Sequence, residues 1–384
     1  MFANRLSFGL EENALWTELS TRRSAGIPVI DLTESNPTQV GLTFPSEDIL
    51  HALDQSKNLV YEPSPFGWMG AREAISGYYR QHGRDVAAEH IILTASTSEA
   101  YSFLFKLLCE PGDSVLVPKP SYPLFDTLAR LDGVVPVAFP ISTGVIEPVP
   151  DRCRAVLAVN PNNPTGIYVS DEDANRLSSL AHDHDLSVIV DEVFLDFPFD
   201  DGRGRSLAGE KEGLVFVLGG LSKLAALPQI KVSWITVSGE PELRDNALAR
   251  LEHISDTYLS VSAVAQHAVP QLMDAAPESR AAIMKRVRTN LETLRHAVGA
   301  HKALSVLPSE GGWYQTLRLP AIASSEEWAQ AFLTEGSVYV HPGLFFGFDM
   351  EACCVLSLIV PPDVFRNGVT TILRIAADRI EFER

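Results

Sequence analysis

Positive charge is scarce in this chain. Its 384 residues carry 31 lysines and arginines against 49 aspartates and glutamates, a formal net charge of −18. Nucleic acid and anionic membrane surfaces are thereby poor partners, since long-range repulsion opposes both. Cysteine is scarcer still. The four, Cys109, Cys153, Cys353 and Cys354, are too few and too irregularly spaced for a disulfide framework or a zinc knuckle. The adjacent pair lies in an apolar run and reads as core filling. No apolar run approaches the length that spans a bilayer. The opening stretch MFANRLSFGLEENALW lacks the basic start and apolar centre of a secretory leader. Repeats and low-complexity tracts are missing as well. These absences point to the cytoplasm.

With 46% hydrophobic and 21% charged residues, the chain has the composition of a globular protein. It is long enough for one large domain and a smaller one. Short apolar runs alternate with helical patterns: HIILT (90–94), SVLVP (114–118), RAVLAVN (154–160), LSVIVDEVF (186–194), LVFVLGG (214–220) and KVSWITVSG (231–239). Runs of Val, Ile and Leu without strict alternation predict strands covered on both faces, as in a mostly parallel sheet. The expected fold class is therefore α/β, a large domain with a mixed, mostly parallel sheet between helices over 46–270. A smaller α+β domain follows over 271–384, opening with the amphipathic PESRAAIMKRVRTNLETLRHAV and continuing into an antiparallel sheet. Residues 1–45 are expected to pack with that small domain.

In an open α/β sheet, ligands sit beyond the carboxyl ends of the strands, and several polar signals fall there. LTASTSEAY ends a strand and opens a helix, placing Ser96, Thr97 and Ser98 at a turn suited to a phosphate. Thr97 or Ser98 could equally be no more than the helix cap. VNPNNPTG (159–166) ends another strand with three asparagines. VIVDEVF puts Asp191 at the end of a deeply apolar strand, where an acid is costly without a cationic partner. Lys223 follows the Val-rich run VFVLGG. A lysine that can form an imine, an acid to pair with a pyridinium nitrogen and a helix terminus for a phosphate together suit pyridoxal 5'-phosphate.

The chain resembles the fold-type I pyridoxal-phosphate enzymes of the class I/II aminotransferase family, which share an aspartate aminotransferase-like fold. YEPSPFGWMGAREAI (61–75), ILTASTSEAYSFLFKLLCEPGDSVLVPKPSYPLF (92–125), NPNNPTG (160–166), VIVDEV (188–193), LSK and LPQIK (221–231) and HPGLFFG (341–347) match in order and spacing. The resemblance implies that Lys223 bonds covalently to the cofactor and later shuttles a proton. It implies that Asp191 keeps the ring nitrogen protonated, that Asn163 binds the ring 3-oxygen and that Tyr122 stacks on the ring. Ser96, Thr97 and Ser222 would hold the phosphate, with Lys231 adding positive charge. Tyr61 would reach the phosphate of a neighbouring subunit, making a homodimer with shared sites. The implied activity moves an amino group from an amino acid or amine to a keto acid. A lyase, decarboxylase or racemase on the same scaffold is the alternative, and a non-catalytic cofactor-binding protein is a more distant one.

Departures from the family pattern are informative. Lys231 stands where an arginine is usual, so a point charge replaces a planar fork. Gly220 replaces a common phosphate-binding serine. Phe194 replaces a tyrosine and has no phenol to offer the ring 3-oxygen, so the imine is expected to hold its proton more tightly. Val355, in CCVLSLIV, occupies the position of the arginine that grips a substrate α-carboxylate. Arg318 and Arg366 are substitutes by chain neighbourhood only. Trp313 and Tyr314 could line the pocket, and Asn36 and Thr38 lie on the loop that faces substrate in the family.

Overall fold

The computed structural model describes the chain except residues 1, 4, 6–12, 142–147, 201–203, 351 and 383–384. Most of the opening stretch read for a leader therefore lies outside the described residues. Helix α1 (Ala14–Ser24) begins where the Asn13 side chain accepts from the Leu15 and Trp16 amides. The short strand β1 (Ile30–Asp31) follows, and then helices α2 (Ser46–Leu53) and α3 (Met69–Gln81).

The central sheet has seven strands: β2 (Ile91–Thr94), β3 (Ser114–Lys119), β4 (Val135–Pro140), β5 (Cys153–Val159), β6 (Ser187–Asp191), β7 (Leu214–Gly220) and β8 (Ser233–Gly239). Their order is β2-β8-β7-β6-β5-β3-β4. Strand β8 runs antiparallel to both neighbours, and the remaining pairs are parallel. The mixed sheet expected from the Val and Ile runs is present, and its burial shows why those runs do not alternate. Val188, Val190 and Val217 enter one apolar cluster, while Ile189, Phe216 and Leu218 enter another on the opposite face. Both faces are covered, so every position along a strand is apolar.

Helices α4 (Thr97–Leu108), α5 (Leu124–Leu131), α6 (Asp171–His184), α7 (Leu221–Leu224) and α8 (Pro241–Tyr258) fill the connections. Then comes α9 (Ala263–Gly299), which starts fourteen residues before the PESR pattern and contains Pro270 and Pro277. Proline in a helix removes a backbone bond and favours a break. Here packing prevails: Ala265, Ala268, Val269 and Leu272 are buried in the cluster that also holds Ala52, Ala71 and Ile75 from α2 and α3. The later turns of α9 bury Ile283, Val287, Leu291, Leu294 and Val298 in a third cluster.

That third cluster surrounds an antiparallel sheet with the order β12 (His341–Pro342), β13 (Cys353–Ser357), β10 (Tyr314–Arg318) and β9 (Ser305–Val306). Helices α10 (Ser325–Gly336) and α11 (Pro362–Phe382) flank it. Strand β1 pairs in parallel with β11 (Val338–Tyr339), and Leu15, Leu19, Leu32 and Val40 enter the same cluster. Among the described residues no helix is long and apolar enough to cross a membrane.

Candidate active site at the carboxyl ends of the central strands

Strands β5, β6 and β7 are parallel neighbours, so their carboxyl ends share one edge. Asp191 ends β6. Lys223 lies in the single turn α7 directly after β7, and the asparagine loop follows β5. Topology alone thus gathers three segments that lie far apart in sequence.

Asp191 is buried, and its carboxylate accepts from the Val193 amide at 3.1 Å and the Tyr101 hydroxyl at 3.3 Å. Burial pushes its pKa up to about 6, against the pull of those two donors and of Lys223. Lys223 shows the matching effect. Its Nζ sits 4.9 Å from the Trp313 ring centroid and 5.6 Å from that of Phe194. Ring faces attract a cation, yet loss of water dominates and lowers the amine to about 8, with Asp191 opposing. The result is an amine easily deprotonated beside a carboxylate that remains mostly charged at neutral pH.

The asparagine loop divides its labour. Asn160 donates to the Arg205 carbonyl at 2.8 Å and to Glu192 at 3.3 Å, and accepts from the Val169 amide at 3.0 Å. Asn162 donates to the Pro120 carbonyl and accepts from the Thr165 amide and hydroxyl. Both hold the loop. Asn163 is equally buried, but its Oδ1 finds no partner among the described residues. Buried amides are normally satisfied, so Asn163 is the member of the trio left open to a ligand.

Ser96, and neither Thr97 nor Ser98, is the cap of α4; its oxygen accepts from the Glu99 amide at 3.1 Å. The Ser96 hydroxyl hydrogen remains free to donate. Thr97 opens the helix beside it. The Glu99 carboxylate accepts from the Ala95 amide and from the Ser260 hydroxyl, and Ser260 and Tyr61 line one cleft. Tyr61 itself is 76% exposed. Ser222 is partly exposed in α7, and Lys231 is exposed on a left-handed turn after Pro228–Ile230. A Cβ at 220 would lie 2.5 Å from Ser233 Oγ and 3.2 Å from Ser233 Cβ, so a side chain there requires Ser233 to turn aside.

Tyr122 is 37% exposed, with its ring edge-on to Phe125 at 5.7 Å, and burial of its hydroxyl pushes the pKa up to about 12. Trp313 is fully buried, with an indole N–H that has no partner among the described residues. Tyr314 is partly exposed, its ring 6.1 Å from Phe194. Asn36 spends its side-chain oxygen on the Thr38 amide and hydroxyl. Arg318 is not brought to this place. It lies exposed at the far end of β10, roughly 13 Å from Tyr314 at ~3.3 Å per residue, in a cleft with Lys302 and Ala352. Arg366 is exposed on α11. Val355 is buried in β13 opposite Thr316.

Sequence reasoning missed Tyr101, although its place on the inward face of α4 follows from helical spacing. It also missed Glu192, whose carboxylate accepts from the Ser206 hydroxyl and the Leu207 amide and is pushed up to about 7 by burial. No local pattern marks that network, because its partners come from a loop fourteen residues on.

Fold and site together define an α/β enzyme of the aspartate aminotransferase-like architecture, with a lysine and an acid poised at adjacent strand ends. Comparison with known proteins agrees. The family described as aminotransferase class I and II matches residues 27–369. The chain is 24% identical over 341 residues to the tyrosine aminotransferase of Mus musculus, covering 83% of this chain and 75% of that protein. It is 28% identical over 255 residues to the glutamate-pyruvate aminotransferase AlaA of Escherichia coli (strain K12), covering 64% and 63%. Among solved structures, an alanine aminotransferase from Pyrococcus furiosus superposes with a TM-score of 0.87 at 21% identity, covering 99% of this chain and 100% of that one. A Thermus thermophilus aspartate aminotransferase gives 0.83 at 22%, covering 98% and 99%. At such identities the structural likeness establishes the fold. The chain belongs to the aminotransferase class I and II family and is an enzyme that transfers amino groups.

Proposed function

We propose that the site holds pyridoxal 5'-phosphate and moves an amino group from an amino acid or amine to a keto acid. The observation that carries this reading is the Lys223–Asp191 pair, an amine and a carboxylate whose pKa values burial shifts at adjacent strand ends. The residues fit the group. Asn163 would donate from its Nδ2–H group to the ring 3-oxygen, Asp191 offers a buried carboxylate for a protonated ring nitrogen, and Tyr122 an accessible ring for stacking. Ser96, Thr97 and Ser222 offer hydroxyls, and Lys231 a charge, to the phosphate. The bound cofactor supplies an electron sink for the carbon that bears the amine.

Lys223 does the proton work. With its pKa lowered to about 8 it releases a proton from Nζ at little cost and then serves as base and acid at the reacting carbon. Asp191 fixes positive charge opposite its buried oxygens, and Tyr101 fixes Asp191. The Phe194 and Trp313 rings flank Nζ. Tyr61 belongs to the phosphate site of a second copy, a reading supported by its exposure on the cleft it shares with Ser260. The active unit is thus a homodimer. Residues 1–45 and 271–384 form the small domain and 46–270 the cofactor domain, supported by the shared cluster of Leu15, Leu32 and Val298. Four unpaired cysteines support a reducing, cytoplasmic setting.

The test is the absorbance spectrum of protein loaded with the cofactor, with Lys223→Ala as control. A visible band that needs Lys223, and that amino donors convert while a keto acid restores it, is the expected result. A protein without such a band refutes the assignment.

A further inference from the structure

The antiparallel sheet turns Leu317, Cys354 and Leu356 into its own core. Its other face bears Tyr314, Thr316, Arg318, Cys353, Val355, Ser357 and His341, and its Tyr314 and His341 end looks toward the site. Tyr314 touches Phe194, which in turn approaches Lys223 Nζ. His341 lies 6.0 Å from the Phe346 ring, and the Phe346 carbonyl accepts from the Ser121 amide beside Tyr122. Register sets His341, Val355 and Thr316 in one row across three strands, with Ser357 and Tyr314 in the next. Directly opposed side chains of such a row are in contact range.

Within this row Val355 stands where the resemblance implies a carboxylate-binding arginine, and the row itself, His341, Val355 and Thr316, holds no arginine or lysine. Arg318 occupies the next row of the same face, two residues beyond Thr316, but it is exposed and lines a separate cleft with Lys302 and Ala352. His341 is partly buried among Tyr339, Phe345 and Phe346, and its imidazole has no hydrogen-bond partner among the described residues. Thr316 Oγ1 and Ser357 Oγ are buried and equally without partners. A carboxylate brought here would lose water and gain no counter-charge. A neutral imidazole and hydroxyls, by contrast, can each donate to or accept from an uncharged oxygen. Burial lowers the His341 pKa, with Asp31 opposing, which favours the neutral ring.

We propose that the wall of His341, Thr316 and Tyr314 around Val355 receives an uncharged polar group of one substrate, a hydroxyl or carbonyl oxygen, at the place where relatives grip a carboxylate. This rests on the aminotransferase reading and narrows it: one partner in the exchange is an amine, or the carbonyl compound it becomes, whose reacting carbon carries no carboxylate.

The test uses cofactor-loaded protein and two ligands that lack an amine and cannot react, 3-phenylpropan-1-ol and 3-phenylpropionate. Their phenyl ends suit the aromatic surroundings, and calorimetry gives the dissociation constants. The alcohol is expected to bind at least about tenfold more tightly than the carboxylate, because only the latter loses an uncompensated charge from water. His341→Ala is expected to weaken the alcohol roughly threefold to tenfold, the size of one neutral hydrogen bond. Val355→Arg is expected to reverse the order, strengthening the carboxylate about tenfold or more. If circular dichroism shows that Val355→Arg does not fold, the wild-type ratio and His341→Ala decide alone. Equal binding, or tighter binding of the carboxylate by the wild type, overturns the proposal. Failure of the underlying reading is separate, since it shows as a missing Lys223-dependent absorbance band before any ligand is added.

Discussion

Replacing Lys223 by Met should make the cofactor-free protein more stable. The side chain keeps its length and apolar stem while losing the amine, whose pKa falls from the ordinary 10.5 to about 8 because burial outweighs Asp191. At about 1.4 kcal/mol per tenfold change in proton affinity, that fall costs ~3 kcal/mol of folding free energy when the amine is protonated. Removing the cation also removes an attraction that holds Asp191 down, which takes back about 1 kcal/mol on the same scale. A net gain of about 2 kcal/mol at pH 7 remains, of the kind seen when strained functional groups are removed. The sign with pH follows from linkage. The unfolded chain binds more protons than the folded one between pH 8 and 10.5. Wild-type stability relative to the variant therefore rises across that window, and the cost is full below it and gone above it. Urea unfolding of both cofactor-free proteins at pH 7 and pH 10 reads the difference. A variant no more stable than wild type at pH 7, or an advantage that persists undiminished at pH 10, refutes the reasoning.

Three further outcomes are expected. Asn163→Ala should weaken retention of the cofactor roughly tenfold, one hydrogen bond to a charged oxygen, while leaving the melting temperature of the cofactor-free chain within error, since no internal bond to Oδ1 is lost; equilibrium dialysis and calorimetry check the two halves. Gly220→Ser should cost about 1–3 kcal/mol through overpacking against Ser233, and Ser233→Gly in the same chain should return part of it in urea melts; a neutral Gly220→Ser sinks the steric account. Phe194→Tyr should restore a phenol beside the cofactor, so the pH at which the visible band changes should fall relative to wild type; no movement, or a rise, contradicts the assigned position of Phe194.

Much of this architecture was legible because its causes are local. A strand packed on both faces must be apolar throughout, so the runs at 187–191 and 214–220 announced themselves, and Asp191 stood out as the one charge their burial does not tolerate. Lys223 could be read only together with Asp191 and the asparagine loop. What stayed hidden is set by partners distant in sequence. The crowding of Gly220 by Ser233 comes from the neighbouring strand, and no feature around 220 shows it. Tyr101 supports Asp191 across ninety residues of chain. Arg318 was named for its nearness in sequence to Tyr314, but four residues of extended strand carry it to the other end of the sheet. The row of His341, Val355 and Thr316 depends on register, which no single segment records. The start of α9 at Ala263 was hidden too, since the burial of Val269 and Leu272 carries the helix through Pro270 and Pro277.

That uninterrupted α9 governs how relatives of this enzyme can exchange parts. Its 37 residues run about 55 Å at ~1.5 Å per residue, and its first turns and its last turns belong to different cores. A crossover inside 263–299 would join two apolar stripes never selected together, and each core would inherit a foreign half-rod. Viable chimaeras must therefore change parent at 259–262 or 300–304 and carry the helix whole, so that whichever parent donates it dictates one wall of both cores.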